Sequence, residues 1–92
     1  MTVTTEKTVG IVNSRGLHAN AAAKLVTLAA KYQAEISVTK DGRTVSGNSI
    51  MEVLTLAASQ GSVITLQATG DDAHEALEAL AALIANRFHE DA

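Results

Sequence analysis

The spacing of apolar positions changes several times along this chain, and each change marks a new element. Thr4 to Val12 carries Val9, Ile11 and Val12 among threonines, the pattern of a first strand, and the polar run Asn13-Ser14-Arg15-Gly16 ends it. Polar Asn20, Lys24, Thr27 and Lys31 then recur at steps of four, three and four. This leaves Ala22, Leu25, Val26, Ala29 and Tyr32 on the opposite face of an amphipathic helix of about four turns. Next, Ile36 and Val38 alternate with polar residues, Asp41-Gly42 interrupts, and Val45 resumes the pattern. Two strands joined by a tight turn that accepts positive φ are predicted here.

After Gly47, the residues Ile50, Val53, Leu54 and Ala57 fall at helical spacing. Ser49 introduces them with Glu52 three residues on, the signature of a capping box in which the hydroxyl accepts from free amides and the carboxylate reaches back. Gly61 stops this helix, and Ile64, Leu66 and Ala68 alternate along a last strand. A final helix runs to Phe88, with Asp71 and Asp72 at its positive end and Arg87 near its negative end. Its buried stripe is Ala73, Leu77, Leu80, Ile84 and Phe88. The order βαββαβα predicts an α+β open-faced sandwich, a four-stranded antiparallel sheet with three helices on one face.

Composition narrows the setting. Ninety-two residues make one modest core, and with no cysteine the chain relies on packing of its 47% apolar residues, which fits a reducing compartment. The polar, Glu-containing start lacks the basic and apolar runs of a signal peptide, and no apolar stretch of about eighteen residues is present for a membrane span. A soluble, cytoplasmic protein without membrane contact is expected. Seven basic against ten acidic residues give a charge of −3, and Tyr32 and Phe88 are the only aromatics. Neither a phosphate-coating patch nor a base-stacking platform is evident, so nucleic acid is not an expected partner.

The candidate chemistry sits at His18, where a loop turns into an alanine-rich helix. Neutral imidazole is a good nucleophile near physiological pH and can carry a phosphoryl group. At a helix N-cap, the unpaired amides of about Ala19 to Ala21 would donate to phosphoryl oxygens, and the helix dipole would favour the added charge. Gly16 would let the approach loop bend close, and small Ala21, Ala22 and Ala23 would leave the site open to a partner. His74 and His89 do not pair with His18 at a metal-ligand spacing, so no metal is expected. The glycines of Asp41 to Ser49 match no P-loop pattern.

Gly-Leu-His-Ala followed by Ala-Ala-Lys-Leu-Val, then Gly-Asn-Ser-Ile-Met-Glu-Val-Leu after the hairpin and an acidic, Ala/Leu-rich last helix, resembles the HPr family of the bacterial phosphotransferase system. The resemblance spans nearly the whole chain and implies a single HPr-like domain over residues 4–89. It implies a relay that is not itself an enzyme and uses no cofactor: a phosphoryl group is accepted from phosphoenolpyruvate through Enzyme I and passed to an Enzyme IIA protein. His18 matches the family's carrier, with Ala19, Asn20, Ala21 and Arg15 placed to stabilise the phosphoryl group. Ser49 matches a serine phosphorylated in many bacteria by an ATP-dependent HPr kinase/phosphorylase. Leu17, Ala21, Leu25, Ile50, Met51 and Leu54 match the docking surface for partners. Having to dock twice favours a monomer.

One departure from the family stands out. The usual His-Ala-Arg-Pro or His-Thr-Arg-Pro is replaced by His18-Ala19-Asn20-Ala21, which removes a charged bidentate donor and leaves Arg15 or Lys24 to supply charge. Slower transfer or altered partner preference is the expectation. The alternative is an HPr-like regulatory binding module with a weakened relay. Ser49 also has a purely structural reading as a cap. Of the neighbours Ile50 and Met51, about a hundred degrees apart on a helix, one is expected in the core and the other in contact with a partner.

Overall fold

Alternating side chains make the sheet two-faced. In the computed structural model, which describes residues 3–91, strands β1 (Thr4–Gly10), β2 (Glu35–Lys40), β3 (Arg43–Ser46) and β4 (Val63–Thr69) form one antiparallel sheet in the order β1-β4-β2-β3. Val38 pairs with Leu66 on one side and Val45 on the other. Ile36, Val38, Val45, Ile64, Leu66 and Ala68 are all buried. A slip of one residue would turn this set to solvent, so the register is strongly specified. Hydroxyl pairs decorate the opposite face, among them Thr8–Thr65 at 3.3 Å and Thr39–Thr44 at 2.7 Å.

Helices α1 (Ala19–Ala29), α2 (Ile50–Leu54) and α3 (Ala73–Ala85) cover the apolar face. Leu25 and Leu80 are fully buried there, and a buried leucine or isoleucine stabilises the fold by about 1.5–3 kcal/mol. The fully buried Ala21, Ala22, Ala73 and Ala76 keep the helices close to their neighbours. Asp41 and Gly42 both take positive φ, as the tight turn between β2 and β3 requires. The βαββαβα open-faced sandwich is the architecture the patterning predicts.

Four boundaries differ from the sequence reading. The first strand ends at Gly10, which faces Val63, the first residue of its partner; Ile11 continues only into loop contacts with Ser62 and Gly61. α1 ends at Ala29 after about three turns, not four, and its tail to Tyr32 tightens into i to i+3 bonds. α2 stops at Leu54 because Ala57 adopts a φ of 50° and reverses the chain, burying Leu56 and Ala58 instead of Ala57. α3 ends at Ala85, and Phe88 reaches the core from a separate turn in which Arg87, Phe88 and His89 all have positive φ.

Two acids also act differently from their expected roles. The Asp72 carboxylate makes no cap bond to its own helix; it accepts from the Gln33 and Ala34 amides, both at 2.8 Å, and so ties α3 to the segment entering β2. Ser49 Oγ accepts from the Glu52 amide at 3.2 Å, the expected half of the capping box. The Glu52 carboxylate, however, accepts from the Ser46 amide at 3.1 Å, fastening α2 to β3.

Candidate functional site

Loop, helix and chain end meet at His18. The loop is fixed from below: Asn13 is fully buried and its Nδ2 donates to Gly16 O at 2.8 Å. Gly16 has a φ of +66°, and a Cβ there would stand 2.6 Å from Ala58 O, so only glycine lets the loop lie against the α2 exit. The next amide, Leu17 N, donates to that same carbonyl at 2.8 Å. These contacts deliver the chain to α1 with His18 as the N-cap, extended at φ −78° and ψ −178°.

The imidazole therefore faces two different environments. Nδ1 accepts from the Asn20 amide at 3.3 Å, on the side of the helix start, while Nε2 meets Glu90 Oε2. With a carboxylate on Nε2 and an amide donor on Nδ1, the matching neutral tautomer carries its proton on Nε2 and leaves the Nδ1 lone pair toward the first turn. Ala22 N makes the first intrahelical bond, to His18 O at 2.8 Å. The amides of Ala19, Asn20 and Ala21 precede it and form the positive end of the helix.

Charge is arranged around the ring. Glu90 accepts from both His18 and Asn13 Nδ2, the latter at 3.0 Å, and His18 and Glu90 side chains are each only 16% exposed. The hydrogen bond from His18 first, and then that from Asn13, hold the Glu90 carboxyl below the ordinary glutamate range; the charges of His18 and Arg15 add to this while desolvation opposes it. Arg15 lines an open depression of about 310 Å³ with Ser14, His89, Glu90 and Asp91. On the other flank Asn20 shares a groove of about 380 Å³ with Lys24, Thr27, Lys31 and His89, among others. Lys24 Nζ donates to Phe88 O at 2.5 Å. A cation thus stands one turn from Asn20, but it is engaged with the chain end. Among the described residues no group of three or more His, Cys, Asp or Glu is placed to hold a metal.

The expected docking residues divide by burial. Met51 is 75% and Ile50 39% exposed, so neither enters the core; Val53 occupies the buried position of that short helix. Leu54 is half-buried. Leu17, Ala21 and Leu25 are buried at 4%, 0% and 0%, which corrects their assignment to a surface: they support the site from beneath. Ala21 and Ala22, expected to leave the site open, are likewise interior, while Ala19 and Asn20 are exposed beside the ring. Asn13 and Glu90 escaped the sequence reading. Glu90 lies 72 residues from His18. The available signal was the apolar stripe ending at Phe88, which draws the acidic tail back toward the core.

The model of the PTS HPr component phosphorylation site family matches residues 5–86. The phosphocarrier protein HPr of Cupriavidus necator is 50% identical over 80 residues, 87% of this chain and 90% of that protein. An HPr structure from Thermoanaerobacter tengcongensis superposes with a TM-score of 0.92 at 44% identity, covering 96% of this chain and 99% of the other. A structure of an HPr dimer from that organism superposes at 0.76 with 45% identity, covering 89% and 94%. An N-capping histidine, the βαββαβα sandwich and a family match across nearly the whole chain together place this protein in the HPr family, the non-catalytic phosphoryl carriers of the phosphotransferase system.

Proposed function

We propose that His18 is the residue that carries the phosphoryl group. The observation behind this reading is the placement of its ring at the start of α1, with Nδ1 turned toward the first-turn amides. In the step, the Nδ1 lone pair forms a bond to phosphorus as the donor's bond to phosphorus breaks and its electron pair stays with the donor. The Asn20 amide, released from Nδ1, turns its donor to a phosphoryl oxygen beside those of Ala19 and Ala21. Arg15, exposed on the approach loop, supplies charge from solvent. Hand-off reverses the same bond changes. The domain contributes nucleophile and anion site, and the proteins on either side contribute the rest of transition-state stabilisation.

Enzyme I is the proposed donor and an Enzyme IIA protein the proposed acceptor, each docking in turn on a monomer. Exposed Ile50 and Met51, with half-buried Leu54, give the apolar part of the docking face. No described helix is long and apolar enough to cross a membrane, and the cytoplasm is the compartment in which this relay would operate. Ser49 is the proposed regulatory site for an HPr kinase/phosphorylase. A phosphate there would join the α2 start and set negative charge beside the Ile50 and Met51 face, impeding apolar docking. Incubation with a cognate kinase and ATP should yield acid-stable phosphoserine in the wild type and none in Ser49→Ala.

Incubation with Enzyme I, magnesium and phosphoenolpyruvate tests the carrier itself. An acid-labile, alkali-stable mass increase mapped to His18, and lost in His18→Ala, is the expected result. Label surviving that substitution would refute the assignment.

A further inference from the structure

The segment after α3 follows a path that its own residues resist. Arg87, Phe88 and His89 have φ of 57°, 53° and 62°, three successive left-handed residues with no glycine among them. Such a run persists only where its surroundings over-determine it. Two contacts do so: Phe88 is fully buried in the core, and Lys24 Nζ on α1 donates to its carbonyl. What the turn delivers is Glu90, whose two oxygens are committed separately, Oε1 to the buried Asn13 amide and Oε2 to His18 Nε2. The Asn13 side chain is itself held by Gly16 O, so the carboxylate is aimed from both ends.

We propose that Glu90 is a positioning residue for His18: its carboxylate keeps the ring proton on Nε2, so that Nδ1 stays the nucleophile, and it offsets the positive charge the ring gains when Nδ1 bonds to phosphorus. This rests on His18 being the carrier. In the step, the Nδ1–P bond forms, the donor's bond to phosphorus breaks with its electrons left on the donor, and the Nε2 proton remains on the ring, shared with Glu90 Oε2. No proton leaves the site. The other charged or titratable groups facing it are Arg15 on the approach loop, Lys24 on α1, and His89 and Asp91 on the chain end.

Glutamine at this position cannot reproduce the arrangement. A carboxylate accepts from both Asn13 Nδ2 and His18 Nε2–H, whereas a glutamine side chain has one accepting oxygen and one donating amide. Either Asn13 loses one of its two acceptors, or the ring meets a donor and moves its proton to Nδ1, where it blocks the nucleophile. Aspartate keeps the charge but falls one methylene short.

The test uses the full chain labelled with ¹⁵N. At a pH where the ring is neutral, long-range ¹H–¹⁵N spectra should show His18 in the wild type with its proton on Nε2. In Glu90→Gln the Nδ1–H form should grow to a substantial share, and acceptance from phosphorylated Enzyme I should slow by roughly tenfold, the lower end of the loss that follows when a carboxylate orienting a metal-bound histidine is removed. Glu90→Asp should restore part of the rate. An unchanged tautomer and rate in Glu90→Gln would overturn the proposal even though the wild type labels at His18. The spectra need no phosphoryl transfer, so a wild type that fails to label would sink the carrier assignment separately.

Discussion

Gly16 rests against Ala58 so closely that a β-carbon would stand 2.6 Å from the Ala58 carbonyl oxygen. That carbonyl also accepts from Leu17 N at 2.8 Å, so the contact sets the last step of the chain before His18. Gly16→Ala adds strain twice, through its φ of +66° and through the clash. We expect a destabilisation of about 1–3 kcal/mol, read from denaturant midpoints, and slower phosphoryl acceptance by the folded fraction. Equal stability and rate would show that the loop can relax without disturbing the histidine.

Asp72 makes the corresponding long-range tie at the other end of the sheet. Its two oxygens each take one amide, from Gln33 and Ala34. Asp72→Ala should cost about 1.5–3 kcal/mol in chemical denaturation, the range for hydrogen bonds to a charged group. Because neither partner touches His18, the rate of phosphoryl acceptance by folded protein should hold steady. A change in rate with stability intact would contradict the separation of the two ends.

Stability should depend on pH through Glu90. Its folded-state value lies below the ordinary 4.5, so between the two values the unfolded chain binds the proton more readily. The stabilisation from Glu90 is thus complete above about 4.5 and is lost as pH falls through the folded-state value. Denaturation of wild type and Glu90→Gln from about pH 5 down to about pH 2 should show a gap that closes as the pH falls. A gap that widens on acidification would reverse the assigned sign.

Asn20 stands where the family commonly has arginine. It is exposed beside the ring, and the nearest lysine on its helix, Lys24, is spent on Phe88 O. Asn20→Arg should therefore raise the rate of transfer from Enzyme I by up to about tenfold, the worth of one charge-assisted hydrogen bond in a partly solvated site. No increase would mean that the guanidinium was not limiting.

How far the sequence reached depends on how local each determinant is. The buried faces of the strands and the Ser49 cap were legible because each arises from neighbours within a few residues: Ile36 and Val38 alternate with polar residues, and the hydroxyl of Ser49 bonds three residues ahead. His18 was legible at the loop–helix boundary for the same reason. The burial of Leu17 and Ala21 was not, since Leu17 depends on the approach loop docking against Ala58 and Ala21 on which face α1 turns to the sheet. Glu90 was hidden more deeply. It reaches the ring only because Phe88 leaves the α3 helix and enters the core through a left-handed turn, a conformation that Arg87, Phe88 and His89 do not advertise.

The fate of labelled phosphoenolpyruvate decides most directly. With Enzyme I and magnesium present, this protein should take up one acid-labile, alkali-stable phosphoryl group, fragment mass spectra should place it on His18, and an Enzyme IIA protein should discharge it. Uptake that persists in His18→Ala, or a wild type that stays unlabelled beside an HPr that charges fully, would contradict the account.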